Sequence, residues 1–265
     1  MRKLFVALIF TSGPLLAETR SFPAKDLKEL DIHSNSGDLD VQTASVSEVK
    51  ITYTKKDPSS FDKYCTLTFN QDRNKIHVNV NKPQNTSGDP CRIHFEILMP
   101  EGRDLDVSVG NGNLTAKGSY SEMDANIGNG KLYIQGSIPK LDTKTGNGNV
   151  FLDLAEARKL ETKVGNGDIK ATFGSIVEHA DIDLKLGNGR VNLSSQKSPQ
   201  KAELEIKAGT GDAELSFEDK TSFHLVHNSG FGKVTNEFAN TANSAFRIRV
   251  KNGTGNLYIK KLSGK

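Results

Sequence analysis

The 265-residue sequence predicts an all-β protein, a parallel β-solenoid (β-helix) of about eight to nine coils with a strand-rich insertion near its N-terminus. Three observations predict this fold. A glycine triplet recurs about every 20 residues, apolar and polar residues alternate on both sides of it, and equivalent positions of successive copies carry the same residue types. A period of this length is typical of solenoids, in which each copy forms one coil.

The first 17 residues, MRKLFVALIFTSGPLLA, have the pattern of a secretory signal peptide. Arg2 and Lys3 supply the positive start, residues 4–10 the apolar run, and Ala17 a small residue at the cleavage position. We therefore expect an exported mature domain of residues 18–265, most simply in the periplasm, with secretion or the cell surface as the alternative. No later apolar run approaches the ~20 residues that a transmembrane helix needs, so no membrane span is expected.

The charge balance argues against a nucleic-acid partner. The chain has 35 Lys and Arg residues against 32 Asp and Glu residues. Proteins that bind nucleic acid normally carry a much stronger basic stripe, because phosphate neutralisation supplies most of the affinity.

Two cysteines, Cys65 and Cys91, are present in the chain. A single pair in an exported protein predicts a disulfide, which would stabilise the fold by roughly 3.5 kcal/mol in the chain-entropy treatment. A metal site is the alternative. It is disfavoured because the nearby His77 and His94 both lie in strands of alternating polarity.

Five copies of the triplet read Gly-Asn-Gly, and two Gly-Thr-Gly copies and one Gly-Phe-Gly copy follow them. We expect each triplet to be a corner of a coil, because glycine adopts positive φ without steric strain and stacked asparagines can hydrogen-bond as a ladder. The five Gly-Asn-Gly corners are Gly110, Asn111 and Gly112; Gly128, Asn129 and Gly130; Gly146, Asn147 and Gly148; Gly165, Asn166 and Gly167; Gly187, Asn188 and Gly189.

An antiparallel meander is the rival interpretation, since Asn-Gly between alternating strands is also a hairpin signal. Hairpin pairing would place Asp142 opposite Asp153 and Lys163 opposite Lys170, which are like-charge pairs. Solenoid stacking instead produces uniform columns. The acidic column contains Asp106, Asp124, Asp142, Glu161, Asp183 and Glu205, and the neighbouring column contains Ser108, Asn126, Lys144, Lys163, Lys185 and Lys207. These columns favour the solenoid.

The period fails between a degenerate copy at residues 29–41 and the copy at Gly112. Residues at about 46–101 contain short alternating strands separated by polar turns. We expect this segment to be a β insertion held by the disulfide and packed on the first coils. At the opposite end, His227, Ser229 and Asn252 stand at inward positions, as expected where a solenoid needs a cap.

Two outward-facing positions are candidates for binding. Tyr133 and Phe151 are predicted on adjacent coils, ~4.8 Å apart. Their aromatic rings could bind a sugar face or a protein partner, or only stabilise the stack.

Asp106 and Asp124 are candidates for a metal site, because they are the acidic-column members without a lysine neighbour. A bound Ca²⁺ could relieve their repulsion, with screening by water or by Arg103 as the alternative. No other cofactor is expected.

Catalysis is not expected. The six histidines are scattered, and no nucleophile elbow or zinc-protease motif occurs. The alternative is a polysaccharide lyase or hydrolase that uses the outer acidic and lysine columns. The regularity of these columns favours a structural role, since an active site normally interrupts a repeat.

The segment HFEILMPEGRDLDVSVGNGNLTAKG resembles the bacterial putative-adhesin family of β-solenoids, also called the toastrack domain. The resemblance covers about residue 29 to the end of the chain. It implies an envelope location and a non-catalytic, adhesin-like binding or scaffold role toward an envelope glycan or protein. It supplies no agreed catalytic residues. The chain differs from tethered members in having no apparent membrane anchor.

Overall fold

Ten stacked coils form the body of the protein, and each coil gives one strand to each of two facing sheets. The computed structural model describes residues 17–82 and 88–262. The predicted signal peptide therefore lies outside the described residues except for Ala17. Within these described residues, no helical segment has the length and apolar character of a membrane span.

The described chain contains nineteen strands and one short helix. In chain order they are β1 (Glu18–Pro23), β2 (Glu29–Ala44), β3 (Glu48–Lys55), α1 (Pro58–Tyr64), β4 (Thr66–Gln71), β5 (Lys75–Asn81), β6 (Ile93–Pro100), β7 (Arg103–Asn111), β8 (Leu114–Asn129), β9 (Leu132–Ser137), β10 (Lys140–Asn147), β11 (Val150–Asn166), β12 (Ile169–Asn188), β13 (Val191–Ser195), β14 (Ala202–Thr210), β15 (Ala213–Phe217), β16 (His224–Phe231), β17 (Val234–Asn236), β18 (Phe246–Thr254) and β19 (Leu257–Lys261).

Strand pairing between coils is parallel and in register, as the solenoid prediction requires. We call the sheet formed by the strands before the corners the first sheet, and the sheet formed by the strands after the corners the second sheet. In the first sheet, Asp142 on β10 lies beside Asp124 on one neighbouring strand and Glu161 on the other. The two strands that flank each Asn-Gly corner, such as β10 and the start of β11, belong to different sheets. The hairpin interpretation is therefore wrong, because the corner turns the chain from one sheet to the other instead of folding it back on itself.

Every second residue of each strand points into the space between the sheets. These inward positions are almost all apolar, and they form one continuous core along the axis. One row of this core, fully buried or nearly so, consists of Leu30, Leu105, Met123, Leu141, Leu160, Ile182, Leu204 and Ile248. Period-two alternation in the sequence is thus the direct cause of the two-sheet core.

The glycine corners are required by two different contacts. Gly148 has φ +144°, and a Cβ built on it would lie 1.7 Å from the carbonyl oxygen of Gly130 in the preceding coil. Gly146 has no such φ, but a Cβ there would lie 2.5 Å from the oxygen of Gly128. The first glycine of a triplet is therefore needed for close approach of coils, and the second for both approach and backbone geometry.

Asparagine side chains join the corners into the predicted ladder. Each Nδ2 donates to the Oδ1 of the asparagine in the coil before it, at 2.7–2.8 Å, through Asn111, Asn129, Asn147, Asn166 and Asn188. A second ladder was not anticipated from the sequence. The residue after each triplet, when it is Asn or Asp, accepts a hydrogen bond from the backbone N–H of the next coil, as Asp168 does from Arg190 at 2.9 Å.

The predicted insertion at about 46–101 differs from the structure at its C-terminal half. β5 and β6 pair in parallel with β2 and form the first coil of the stack. This coil was missed because the sequence between β5 and β6 contains no glycine triplet of the kind that marks the later corners. With this coil included the structure has ten coils, whereas eight to nine were predicted.

The rest of the segment closes the N-terminal end. β3 pairs antiparallel with β6, β1 with β3, and β4 with β5. The Cys65–Cys91 disulfide is present, as predicted, with an S–S distance of 2.02 Å. It ties Cys65, the residue after α1, to Cys91, two residues before β6. Phe61 of α1 is buried in the core.

Coil order departs from chain order at both ends. β2 lies between the β5/β6 coil and the β7/β8 coil. At the other end, β18 and β19 lie between the β14/β15 coil and the β16/β17 coil. The last coil in space is therefore β16/β17, and Asn252 belongs to the coil before it.

Replacing Gly148 by Val is expected to unfold or strongly destabilise the protein, by more than about 3 kcal/mol, because the new side chain would meet the Gly130 carbonyl and resist the positive φ. Thermal unfolding followed by circular dichroism measures this effect. Lys159→Val, an exposed position on β11 in the next coil, is the control and should keep a melting temperature near that of the wild type. An unchanged melting temperature for Gly148→Val would contradict the corner assignment.

Candidate functional site on the outer face of the second sheet

Tyr133 and Phe151 lie side by side on the outer face of the second sheet, as predicted. They are direct register partners on β9 and β11. Tyr133 is 38% exposed, and Phe151 is half-buried. Among the residues described, the close ring pairs are at the two ends of the solenoid, such as Phe217 with Phe246, and this pair is not one of them.

A polar depression of about 480 Å³ adjoins the tyrosine on its N-terminal side. Thr115 of its lining is the register partner of Tyr133. The Lys117 Nζ, also in this lining, lies 5.8 Å from the centroid of the Tyr133 ring. The other charged residues of the depression are Asp40, Lys50 and Glu96.

A second depression of about 300 Å³ begins at Phe151 and extends toward the C-terminal end. Its far end is formed by Tyr258. Between the two rings the lining is polar, with Asp168, Lys170, Arg190, Asn192, Asp212 and Glu214. The aromatic pair therefore stands between two polar depressions on one continuous face, which we call the ladder face.

The column from Thr115 through Tyr133 and Phe151 to Tyr258 crosses seven consecutive strands. At ~4.8 Å per strand, the ladder face runs roughly 30 Å along the axis. Its length suits an extended chain molecule better than a single small one. The repeat predicted that Tyr133 and Phe151 occupy adjacent coils, but the depressions beside them were missed because their walls combine side chains from several strands.

The acidic and lysine columns lie on the outer face of the first sheet and pair with each other. Lys163 Nζ lies 2.6 Å from a Glu161 oxygen, and Lys185 Nζ lies 2.9 Å from the same carboxylate and 2.6 Å from Asp183. Hydrogen bonds from Lys163 and Lys185 lower the pKa of Glu161 to about 2. A groove of about 720 Å³ follows the lysines, but their charges are already compensated.

Ion pairing of this kind is repeated in each coil from Lys144 to Lys207. The polysaccharide lyase or hydrolase alternative would need one coil in which an acid and a base depart from the pattern. In this column the coils differ little, so the structure does not favour the alternative.

The N-terminal members of the acidic column are in a different environment. Asp106 lies between Asp31 and Asp124 in the register of the sheet. Burial raises the pKa of the Asp106 carboxyl, and repulsion from Asp31 and Asp124 adds to the increase. Burial likewise raises the pKa of Asp124, with repulsion from Asp142 as the next cause. Both carboxylates are therefore unfavourably placed when charged.

Histidine and lysine side chains relieve part of this repulsion. His33 Nε2 and His77 Nδ1 each lie 2.9 Å from a different oxygen of the buried Asp31. His33 also favours the charged form of Asp106, and Lys144 that of Asp124. The screening groups are thus His33 and Lys144, and the predicted role of Arg103 is not needed.

The predicted calcium site at Asp106 and Asp124 stays a prediction. The two carboxylates are neighbours, but in residues 17–82 and 88–262 no group of three or more His, Cys, Asp or Glu side chains could hold a metal ion. Two carboxylates alone supply few of the six to eight oxygen ligands that Ca²⁺ takes.

The fold and its repeating corners define the class of the protein, a two-sheet β-solenoid. The chain matches the family model described as Toastrack DUF4097 over residues 27–260. It therefore belongs to this family, whose function is not known, in agreement with the resemblance carried by the segment around Gly110–Gly112.

Among solved structures, this chain matches a putative cell adhesion protein from Clostridium sporogenes, with 11% identity, a TM-score of 0.32, and coverage of 93% of this chain and 99% of that chain. A putative adhesin from Bacteroides fragilis shares 10% identity, with a TM-score of 0.35 and coverage of 93% and 97%. A putative lipid binding protein from Parabacteroides distasonis shares 13% identity, with a TM-score of 0.32 and coverage of 93% and 97%. Among curated proteins, none matches the chain.

Neutralising the strained carboxylates is expected to stabilise the protein. In the folded protein the pKa of Asp106 and that of Asp124 are above the ordinary aspartate value of 3.8. Their favourable contribution to folding stability therefore exists below pH 3.8 and is lost as the pH rises through the folded pKa. Asp106→Asn with Asp124→Asn should therefore raise the melting temperature at pH 7 by about 2–4 °C. Asp106 should supply most of this, since Asp124 is exposed and screened by solvent.

Calorimetry in EDTA between pH 2 and pH 7 measures this, and the difference from wild type should vanish at the acidic end. Glu161→Gln is the control of opposite sign. Its parent carboxylate has a pKa of about 2 instead of 4.5, so it stabilises above pH 4.5 and the variant should melt lower at pH 7. A double variant that melts below wild type at pH 7 would show that the column is not strained.

Millimolar Ca²⁺ added in place of EDTA tests the calcium prediction. That prediction requires a rise in the melting temperature of wild type that the double variant lacks.

Proposed function

We propose that the protein is an exported component of the bacterial cell envelope that binds a glycan along the ladder face without chemically changing it. One observation carries the proposal, the Tyr133–Phe151 pair between two polar depressions on an otherwise regular face. Periodic folding explains a flat, repeated surface. It does not require two adjacent aromatic residues whose rings do not contact each other.

The chemistry of the ladder face suits a sugar chain. Aromatic rings present flat apolar surfaces that pack against the C–H face of a sugar ring. The depressions on either side are lined by four basic and five acidic side chains, which donate to and accept from hydroxyl groups with little net charge. This balance favours a neutral or weakly charged glycan over a nucleic acid or another polyanion.

The rigidity of the face supports binding without catalysis. Each coil is fixed to the next by a full strand of parallel pairing and by the asparagine ladder. Preorganised side chains lose little conformational freedom when a ligand binds, which favours affinity. Two features support the proposed envelope location: the signal-like residues 1–17 and the disulfide, since disulfides persist in oxidising compartments.

A glycan array screened with the mature chain, residues 18–265, tests the proposal, with binding to the best hit then measured by calorimetry. Tyr133→Ser and Phe151→Ser should each weaken binding at least tenfold, equivalent to ~1.4 kcal/mol. Tyr64→Ser removes a comparably exposed ring, 39% exposed, at the capped end of the solenoid. This control should bind as wild type does.

Three results would argue against the proposal. A hit whose affinity survives both ladder-face substitutions would place the site elsewhere. Shortening of the bound glycan during incubation would show a lyase or hydrolase. Recovery of the protein from the cytoplasmic fraction of cells would remove the envelope assignment.

A further inference from the structure

The two ends of the solenoid are closed in different ways. At the N-terminal end, antiparallel strands β1, β3 and β4, helix α1 and the disulfide cover the first coil. At the C-terminal end, β16 pairs with β18 and β17 pairs with β19. No further strand of the described chain pairs with the outer edge of β16 or β17, so this end offers an open sheet edge.

Only the first part of the β16 edge is covered by the chain itself. The Asn240 side-chain amide imitates a neighbouring strand: its Oδ1 accepts from Leu225 N–H at 2.8 Å and its Nδ2 donates to Leu225 C=O at 3.3 Å. Thr241 N–H donates to the carbonyl of Phe223 at 3.0 Å. Because backbone groups alternate between the two edges of a strand, the next groups on this side belong to His227 and Ser229.

Exposed apolar side chains are concentrated on this last coil. Five large apolar side chains are exposed in the part of the chain that the structure describes, and three of them, Val226, Phe231 and Val234, lie here. Their exposed fractions are 47%, 79% and 45%. Soluble proteins normally protect open edges with Lys, Pro or a bulge. The β16 sequence, HLVHNSGF, contains no Lys, Arg, Pro, Asp or Glu.

Polar side chains without partners point inward at the same end. His227 Nε2, Ser229 Oγ and both amide atoms of Asn252 are buried without a hydrogen-bond partner. Asn252 is only 3% exposed and is the register partner of Ser229. Unpaired buried polar atoms are unfavourable. The last coil therefore has polar atoms, apolar side chains and a backbone edge that all lack partners.

We propose that a second copy of this chain docks end to end on the last coil, with β16 antiparallel to β16 of the partner around a two-fold axis at Asn228. This register pairs His227 with the partner's Ser229, and Ser229 with the partner's His227. The free backbone groups of both residues then form hydrogen bonds between the copies, and the orphaned inward side chains face each other. The two cores become continuous, and Phe231 is covered at the junction.

A second copy fits this end better than a foreign strand. A two-fold contact places each strand against itself, so it disfavours strands that carry Lys, Arg, Asp or Glu, and β16 contains none of these residues. The contact closes on itself, and the capped N-terminal end stops further addition. The assembly is a dimer about twice as long as one chain. This inference does not depend on the glycan proposed for the ladder face.

Sedimentation velocity and small-angle scattering of the mature chain test the proposal over a range of concentrations. The expected result is a dimer with a maximum dimension close to twice that of the monomer. The Val226→Lys, Phe231→Lys double variant should be a folded monomer, or weaken association at least tenfold, because both side chains are exposed in one chain and the lysines would meet at the junction. Tyr64→Lys, at the capped end, is the control and should remain dimeric.

A cross-linking variant tests the register. Directly opposite residues of an antiparallel pair have Cα atoms ~4.5–5.5 Å apart, a distance that a disulfide can span. Asn228→Cys should therefore form an intermolecular disulfide under mild oxidation, whereas Ser59→Cys on α1 should not. A wild-type monomer at all concentrations, a dimer no longer than the monomer, or an Asn228→Cys dimer without the cross-link would each overturn the proposal.

Discussion

Close contact between glycine backbones at the corners is the constraint on which the rest of the structure depends. The Gly148 and Gly130 corners approach so closely that no Cβ fits between them, and the same contact recurs from Gly37 to Gly255. Because adjacent corners must meet at this distance, no coil can slip relative to the next by even one residue. Corner contact therefore fixes the register of both sheets.

Register in turn converts sequence positions into surface columns. Once the corners are aligned, the asparagines form their ladder without further adjustment, and each Nδ2 meets the Oδ1 of the previous coil. The same alignment brings like charges together in the acidic column. Lysines beside Glu161 and Asp183 compensate for this repulsion, whereas the Asp106 and Asp124 carboxyls are left with raised pKa values. The ladder face arises in the same way, since Tyr133 and Phe151 are adjacent only because their coils are.

The sequence was sufficient to predict the structure wherever the chemistry is local and repeated. The corner, the ladder, the parallel pairing and the adjacency of the aromatic pair all follow from residues within one period of about 20. The disulfide follows from the presence of a single pair of cysteines. Prediction from the sequence failed at residues 75–100, because a coil without a glycine triplet has the same alternating pattern as an insertion strand. It also missed the depressions that flank Tyr133 and Phe151, whose walls come from residues as distant in sequence as Lys50 and Lys117.

The sequence by itself determined that this protein is a β-solenoid with a periodic surface. Only the tertiary structure decided which coils stand at the ends. The exchange of order between β16/β17 and β18/β19 leaves HLVHNSGF on an open edge, whereas chain order would have enclosed it. The physical reason is that period-two alternation specifies two faces for every strand but not the identity of its neighbours. Neighbours are chosen by non-local packing, here by Phe223, Phe246 and Phe217 at the end of the core.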